Sequence, residues 1–144
     1  MLVHQILKSK GIDSVITVEP GSSVADAARI LSEKRIGTVV ISADGRHAEG
    51  ILSERDIVRE VGRRGPDCLS DTVDQMMTRN PHTCARDESA DSVLERMTEG
   101  RFRHLPVVEN GDLVGFVSIG DLVKFRFDQV QQEAENMRSY IQTA

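Results

Sequence analysis

The sequence predicts an α/β (α+β) fold: two pseudo-symmetric β-α-β-β-α repeats packed as one module, followed by a long C-terminal helix. Three observations predict it: the chain matches itself at a long offset, each copy passes from strand-like to helix-like apolar spacing in the same order, and an apolar stripe continues past the second copy. Slid over itself by 66 positions, Thr17 falls on Thr83, Ser23 on Ser89, Glu33 on Glu99, Arg35 on Arg101 and Gly45 on Gly111. One residue fewer in the next loop makes the shift 65, which places Gly50 on Gly115, Ser53 on Ser118, Asp56 on Asp121 and Val58 on Val123. The period is long for a solenoid, whose units run to about 20–45 residues. Two copies of one small unit is the better reading.

Each element follows from local pattern. Residues 15–18 form a short apolar strand ended by the turn signal Glu19-Pro20-Gly21. Ser22 or Ser23 can cap the helix that follows, in which Val24, Ala27, Ala28 and Leu31 share one face. The β-branched run at 36–41 reads as a buried strand. Ala43-Asp44-Gly45-Arg46 supplies a hairpin turn, residues 49–52 a second strand, and Ser53 opens a helix to about Arg64. The second copy repeats the order. It has a strand near Thr83, a helix over 89–99, a strand over 104–108, a turn at Asn110-Gly111, a strand over 113–117 and a helix from Ser118. The expected division is therefore 1–64 for repeat one with its N-terminal segment, 65–75 for a linker, 76–127 for repeat two and 128–144 for a helical extension. Within that division, 72–77 can form a short helix that resembles 2–7.

The 144 residues carry a formal charge of −5, with 39% apolar, 28% charged and 3% aromatic side chains. That is too apolar for a disordered chain. The acidic balance argues against general capture of nucleic acid, and the scarcity of aromatics against base stacking. No run approaches the roughly 20 apolar residues of a membrane span, and the N-terminus lacks the pattern of a signal peptide. Cys68 and Cys84 stand apart, as reduced thiols do in a cytoplasmic protein, which is the expected location.

Gly50-Ile51-Leu52-Ser53-Glu54-Arg55-Asp56 and Gly115-Phe116-Val117-Ser118-Ile119-Gly120-Asp121 both fit Gly-h-h-Ser-x-x-Asp, where h is apolar. With Met76-Met77-Thr78 before the second copy and His104-Leu105-Pro106-Val107-Val108 within it, the chain resembles a tandem pair of CBS domains, a Bateman module, over about residues 1–127. The resemblance implies two clefts that bind adenine-containing molecules: AMP, ADP, ATP, NAD-type dinucleotides or S-adenosylmethionine.

The residues themselves fit such a ligand. A helix N-terminus presents unpaired N–H groups and partial positive charge to a phosphate. Ser53 and Ser118 sit at two such termini, and Asp56 and Asp121 lie one turn in, where a carboxylate can accept from both ribose hydroxyls. The same spacing is also that of a capping box, which needs no ligand. In family terms the two residues before Leu105-Pro106, Arg103 and His104, reach phosphate; their counterparts Gly37 and Thr38 carry no charge, so the clefts should differ. Arg55, beside Asp56, can add charge. Ile16, Ile36 and Ile51, with His82, Phe102 and Phe116 in copy two, are candidate walls for adenine or ordinary core residues.

Catalytic patterns are missing: no HExxH, no GxSxG, no P-loop and no paired metal-ligand spacing. The expected role is a binding, not catalytic, module: an adenine-nucleotide sensor without catalytic cofactor that acts on a regulated partner or on its own assembly. The alternative is a purely structural interaction module with degenerate clefts. From Val123, the stripe Phe127, Val130, Ala134, Met137 and Ile141 alternates steps of four and three, a coiled-coil seam. A homodimer would cover it; packing back over 2–7 is the other solution.

Overall fold

The computed structural model describes residues 1–10 and 15–143. In chain order the elements are α1 (Val3–Ser9), β1 (Thr17–Val18), α2 (Val24–Lys34), β2 (Thr38–Ile41), β3 (Gly50–Ser53), α3 (Glu54–Arg64), a 3₁₀ turn (Pro66–Ser70), α4 (Val73–Met76), β4 (Thr78–Arg79), α5 (Ala90–Gly100), β5 (His104–Glu109), β6 (Asp112–Ser118) and α6 (Ile119–Thr143). Ala144, the end of the expected extension, lies outside the described residues. β1 to β4 form one sheet in that order, with β1 parallel to β2 and the other neighbours antiparallel; β5 and β6 form a second, antiparallel sheet.

Local chemistry sets the helix starts. The Ser23 and Ser89 hydroxyls accept from the N–H groups of Asp26 and Ser92, each at 3.1 Å, which satisfies one orphan donor per helix. α2 and α5 both end on an arginine in the left-handed region, Arg35 (φ 55°) and Arg101 (φ 57°). These two are equivalent in the repeat, so the unusual conformation is itself duplicated.

The strand expected near Thr83 is a single bridge between Cys84 and Val107, parallel like the pair Val18–Ile41 in repeat one. The cause is one residue. In repeat one the Val40 N–H donates to the Ile16 carbonyl at 3.1 Å. Its counterpart is Pro106, which has no N–H to give. Only the contacts around Cys84 survive: its N–H to Pro106 O at 3.0 Å and Val108 N–H to its own carbonyl at 2.8 Å. Cys68 and Cys84 are both buried and unbonded to each other. Burial, with Glu88 nearby, pushes the Cys84 thiol up to about 12, so it behaves as a small apolar side chain.

The two cores show where the segments go. Val18, Val24, Ala27, Leu31, Val39, Ile41, Leu52 and Ile57 pack with Val73, and Cys84, Val93, Met97, Leu105, Val107, Val117 and Leu122 pack with Val3 and Ile6. Thus α4 completes repeat one, and α1, contiguous with repeat one in sequence, completes repeat two. Backbone bonds fix the exchange: Val73 N–H to Ser22 O and Val24 N–H to Asp71 O on one side, Val3 N–H to Glu88 O and Ala90 N–H to Met1 O on the other, all 2.8–2.9 Å.

Between the halves, equivalent residues meet each other. Thr38 Oγ1 and His104 Nδ1 share a hydrogen bond at 3.1 Å, and Arg46 Nη2 reaches both Asp112 carboxylate oxygens at 3.2 Å. In each pair the partners are 66 residues apart, so each residue meets its own equivalent, and such contacts lie on the pseudo-twofold axis.

Gly50 and Gly115 open β3 and sit within β6 because the exchanged segments press on them. A Cβ at Gly115 would stand 2.7 Å from Leu7 Cδ2; one at Gly50 would meet Met77 Sδ and stand 2.9 Å from the Thr78 carbonyl oxygen. A leucine tip can move and a backbone carbonyl cannot. Gly50→Ala is therefore expected to cost about 1–3 kcal/mol in urea unfolding, and Gly115→Ala clearly less; equal losses would contradict this account.

Candidate functional site

One cleft of about 1080 Å³ runs between the repeats, at the upper end of the size of small-molecule sites. Repeat one contributes Val15, Ile16, Ile36, Gly37, Thr38 and Val40; repeat two contributes Arg86, His104, Val114, Gly115, Phe116, Ser118 and Asp121; α1 and the residue after it add His4, Leu7, Lys8 and Lys10, and the end of α2 adds Lys34 and Arg35. Of the residues expected to bind, Ile16, Ile36, Thr38, His104, Phe116, Ser118 and Asp121 thus meet in one place. Ser53, Asp56, Arg55, Ile51, His82 and Phe102 do not line it. Arg103 does not line it either; its carbonyl accepts the Ile119 N–H at 2.8 Å. His82 stacks on Phe102, ring centroids 4.8 Å apart.

Both Ser-x-x-Asp segments are capping boxes. Ser53 and Ser118 accept from the N–H of Asp56 and Asp121 at 3.1 Å, and each aspartate Oδ2 accepts the serine N–H at 2.9 Å. Capping uses one carboxylate oxygen and fixes the rotamer; the difference lies in what else each carboxylate meets. Asp56 Oδ1 takes Arg59 at 2.8 Å on the helix surface. Asp121 Oδ2 also takes Lys10 Nζ at 2.9 Å, and that ammonium donates at the same distance to the Phe116 carbonyl. Asp121 Oδ1 accepts no hydrogen bond among the described residues. Burial pushes the Asp121 carboxyl up, but Lys10 and the Ser118 N–H outweigh it and hold the group below its usual range, so it is a carboxylate at neutral pH.

The cleft combines an apolar wall with mostly positive charge. Ile16, Ile36, Val114 and Phe116 supply the wall, and among the described residues Lys8, Lys10, Lys34, Arg35 and Arg86 line the cleft with one carboxylate, Asp121. His104 stacks on Phe116 at 5.5 Å. The five cations were not singled out by sequence reasoning. One signal was available: if Leu7 matches Met77, Lys10 matches Asn80, and the alignment reaches the cleft from the upstream side. Among the described residues no group of His, Cys, Asp and Glu could hold a metal ion, and no helix is long and apolar enough to cross a membrane.

A duplicated α/β unit with exchanged segments and a cleft between its halves defines a paired-repeat module. The sequence pattern of the CBS domain matches residues 9–63 and 73–128, and the chain belongs to that family. An Arabidopsis thaliana CBS domain-containing protein is 31% identical over 132 residues, 92% of this chain and 25% of its own, so the chain spans about a quarter of that relative. The crystal structure of a CBS-domain containing protein from Agrobacterium tumefaciens is 45% identical, superposes with a TM-score of 0.82 and covers 88% of this chain and 99% of its own. A CBS domain protein from Pyrobaculum aerophilum complexed with AMP is 26% identical (TM-score 0.74; 84% and 89% covered). The CBS domain pair of protein MJ0100 in complex with 5′-methylthioadenosine and S-adenosylmethionine is 27% identical (TM-score 0.78; 90% and 98% covered).

His104 generates a pH prediction. Burial, helped by Arg103, outweighs the attraction of Asp121 and holds its ring below the usual range. As pH falls through about 6.5 the unfolded chain takes up a proton there and the folded chain does not. Stability is therefore expected to fall on acidification through that window. Urea unfolding at several pH values should show a shallower acid decline for His104→Asn than for the unaltered protein.

Proposed function

We propose that the protein is an adenine-nucleotide-binding regulatory module that takes AMP, ADP, ATP or NAD(H) in the Asp121 cleft, without turnover, and acts on a partner or on its own assembly. The observation that carries this reading is Asp121 at a capped helix N-terminus, its Oδ1 accepting no hydrogen bond among the described residues, in a cleft lined by an apolar wall and five cations. That set offers ribose, adenine and phosphate each a chemically matched surface. The ligands named for the Pyrobaculum and MJ0100 structures, all adenosine derivatives, support the same class. The Asp56 side is the weaker candidate, because Arg59 already occupies its outer oxygen. Calorimetry tests the assignment: Asp121→Ala should weaken AMP and ATP binding at least about tenfold, since a charge-assisted hydrogen bond contributes about 1.5–3 kcal/mol. Unchanged affinity would refute it.

The self-assembly side of the proposal rests on α6. Val123, Phe127, Val130, Met137 and Ile141 are all more than half exposed, so the helix does not fold the seam back onto its own module. A second copy covers such a stripe with like residues, and a homodimer is the assembly proposed. Light scattering at micromolar concentration should give twice the chain mass, and the double substitution Val130→Glu with Met137→Glu should give the monomer.

A further inference from the structure

The Lys10 ammonium already holds the carboxylate assigned above to ribose, bridging Asp121 Oδ2 and the Phe116 carbonyl at 2.9 Å each. Both partners of the ion pair are largely screened, with side chains 31% and 25% exposed. An entering sugar must either share Asp121 with this ammonium or displace it. Displacement leaves a half-buried cation without its counter-charge, which is costly unless the ligand brings one. Around it the lining is already cationic. Lys8, Lys34 and Arg35 make no ion pair among the described residues, and Arg86 faces Glu109 only at 3.5 Å. α3 brings Glu54 near Gly37 at the cleft's edge, and among the described residues the lining itself holds one carboxylate.

Resting on the cleft assignment above, we propose that Lys10 is the specificity-determining residue of this cleft: a built-in competitor for Asp121 that admits adenosine compounds bearing phosphate and disfavours those that are neutral or cationic. A phosphorylated ligand takes Asp121 with its ribose and receives the released ammonium on its phosphate. Methylthioadenosine offers no such partner, and S-adenosylmethionine adds a sulfonium among like charges. The site therefore differs in selection from the MJ0100 pair, whose structure contains both of those compounds. The Asp56 side has no equivalent device, because a neutral amide, Asn80, stands at the position matching Lys10.

The test is calorimetry with adenosine, 5′-methylthioadenosine, S-adenosylmethionine, AMP and ATP against the unaltered protein, Lys10→Met and Lys10→Arg, with thermal melts to confirm folding. The unaltered protein should bind ATP at least about tenfold more tightly than methylthioadenosine, with only the ATP affinity falling as salt rises. Lys10→Met should tighten methylthioadenosine and loosen ATP, shrinking their ratio at least about tenfold, and Lys10→Arg should restore it. Equal affinities in the unaltered protein, or equal shifts of all ligands in Lys10→Met, overturn the role of Lys10 and leave the cleft assignment standing. No binding of any compound by any of the three proteins overturns both.

Discussion

Neither repeat completes its own core. The segment that fills repeat one, with Val73 at its centre, precedes repeat two, and the segment that fills repeat two, with Val3 and Ile6, precedes repeat one. Burying such side chains contributes about 1.5–3 kcal/mol each, so a half without its borrowed segment loses part of a small core that has little to spare. The exchange makes the duplicated chain one cooperative unit and holds the pseudo-twofold axis in place. Everything at the axis follows, including the contacts of Thr38 with His104 and Arg46 with Asp112.

The same exchange breaks the symmetry that it creates. Leu7 over Gly115 and Met77 over Gly50 are equivalent packing solutions, and three residues further on the two segments diverge into Lys10 and Asn80. One places an ammonium on Asp121; the other has only an amide to offer. Duplication thus supplies two equivalent helix termini with identical capping geometry, and substitutions on the borrowed segments decide what each terminus can hold. The net charge of the whole chain obscures this, because five of its 18 Lys and Arg line the cleft with one described carboxylate, Asp121.

Much of the fold was legible because its signals are local or periodic. The heptapeptides, the Ser23 and Ser89 caps and the β-branched run of β2 are each written in a few neighbouring residues. What was illegible depends on pairing across distance. The missing strand near Thr83 follows from Pro106, more than twenty residues away, which lacks the N–H that Val40 gives to Ile16. That 2–7 resembles 72–77 was readable, but which core each fills was not, since both cores are lined by the same kinds of side chain. In the site, seven of the expected residues converge and seven do not, because sequence equivalence names both clefts at once. Only the packing shows which faces stay open.

α6 joins the two features on which the proposed regulatory role rests. Asp121 lies in its first turn, inside the cleft, and Ile141 lies about 30 Å further along the same helix, on the exposed apolar seam. No proline interrupts the run between them, so the usual cause of a sharp kink is missing. Ligand binding at one end changes assembly at the other only when affinity differs between the two assembly states, and the coupling is then reciprocal. The capping box gives that condition a physical basis. The carboxylate oxygen that holds the Ser118 N–H is the one shared with Lys10, so under the proposed binding mode a ligand that releases Lys10 would alter the hydrogen bonding that fixes the start of the helix. In the proposed dimer a small reorientation there would travel along a continuous helix to the seam, where knobs-into-holes packing tolerates little misalignment.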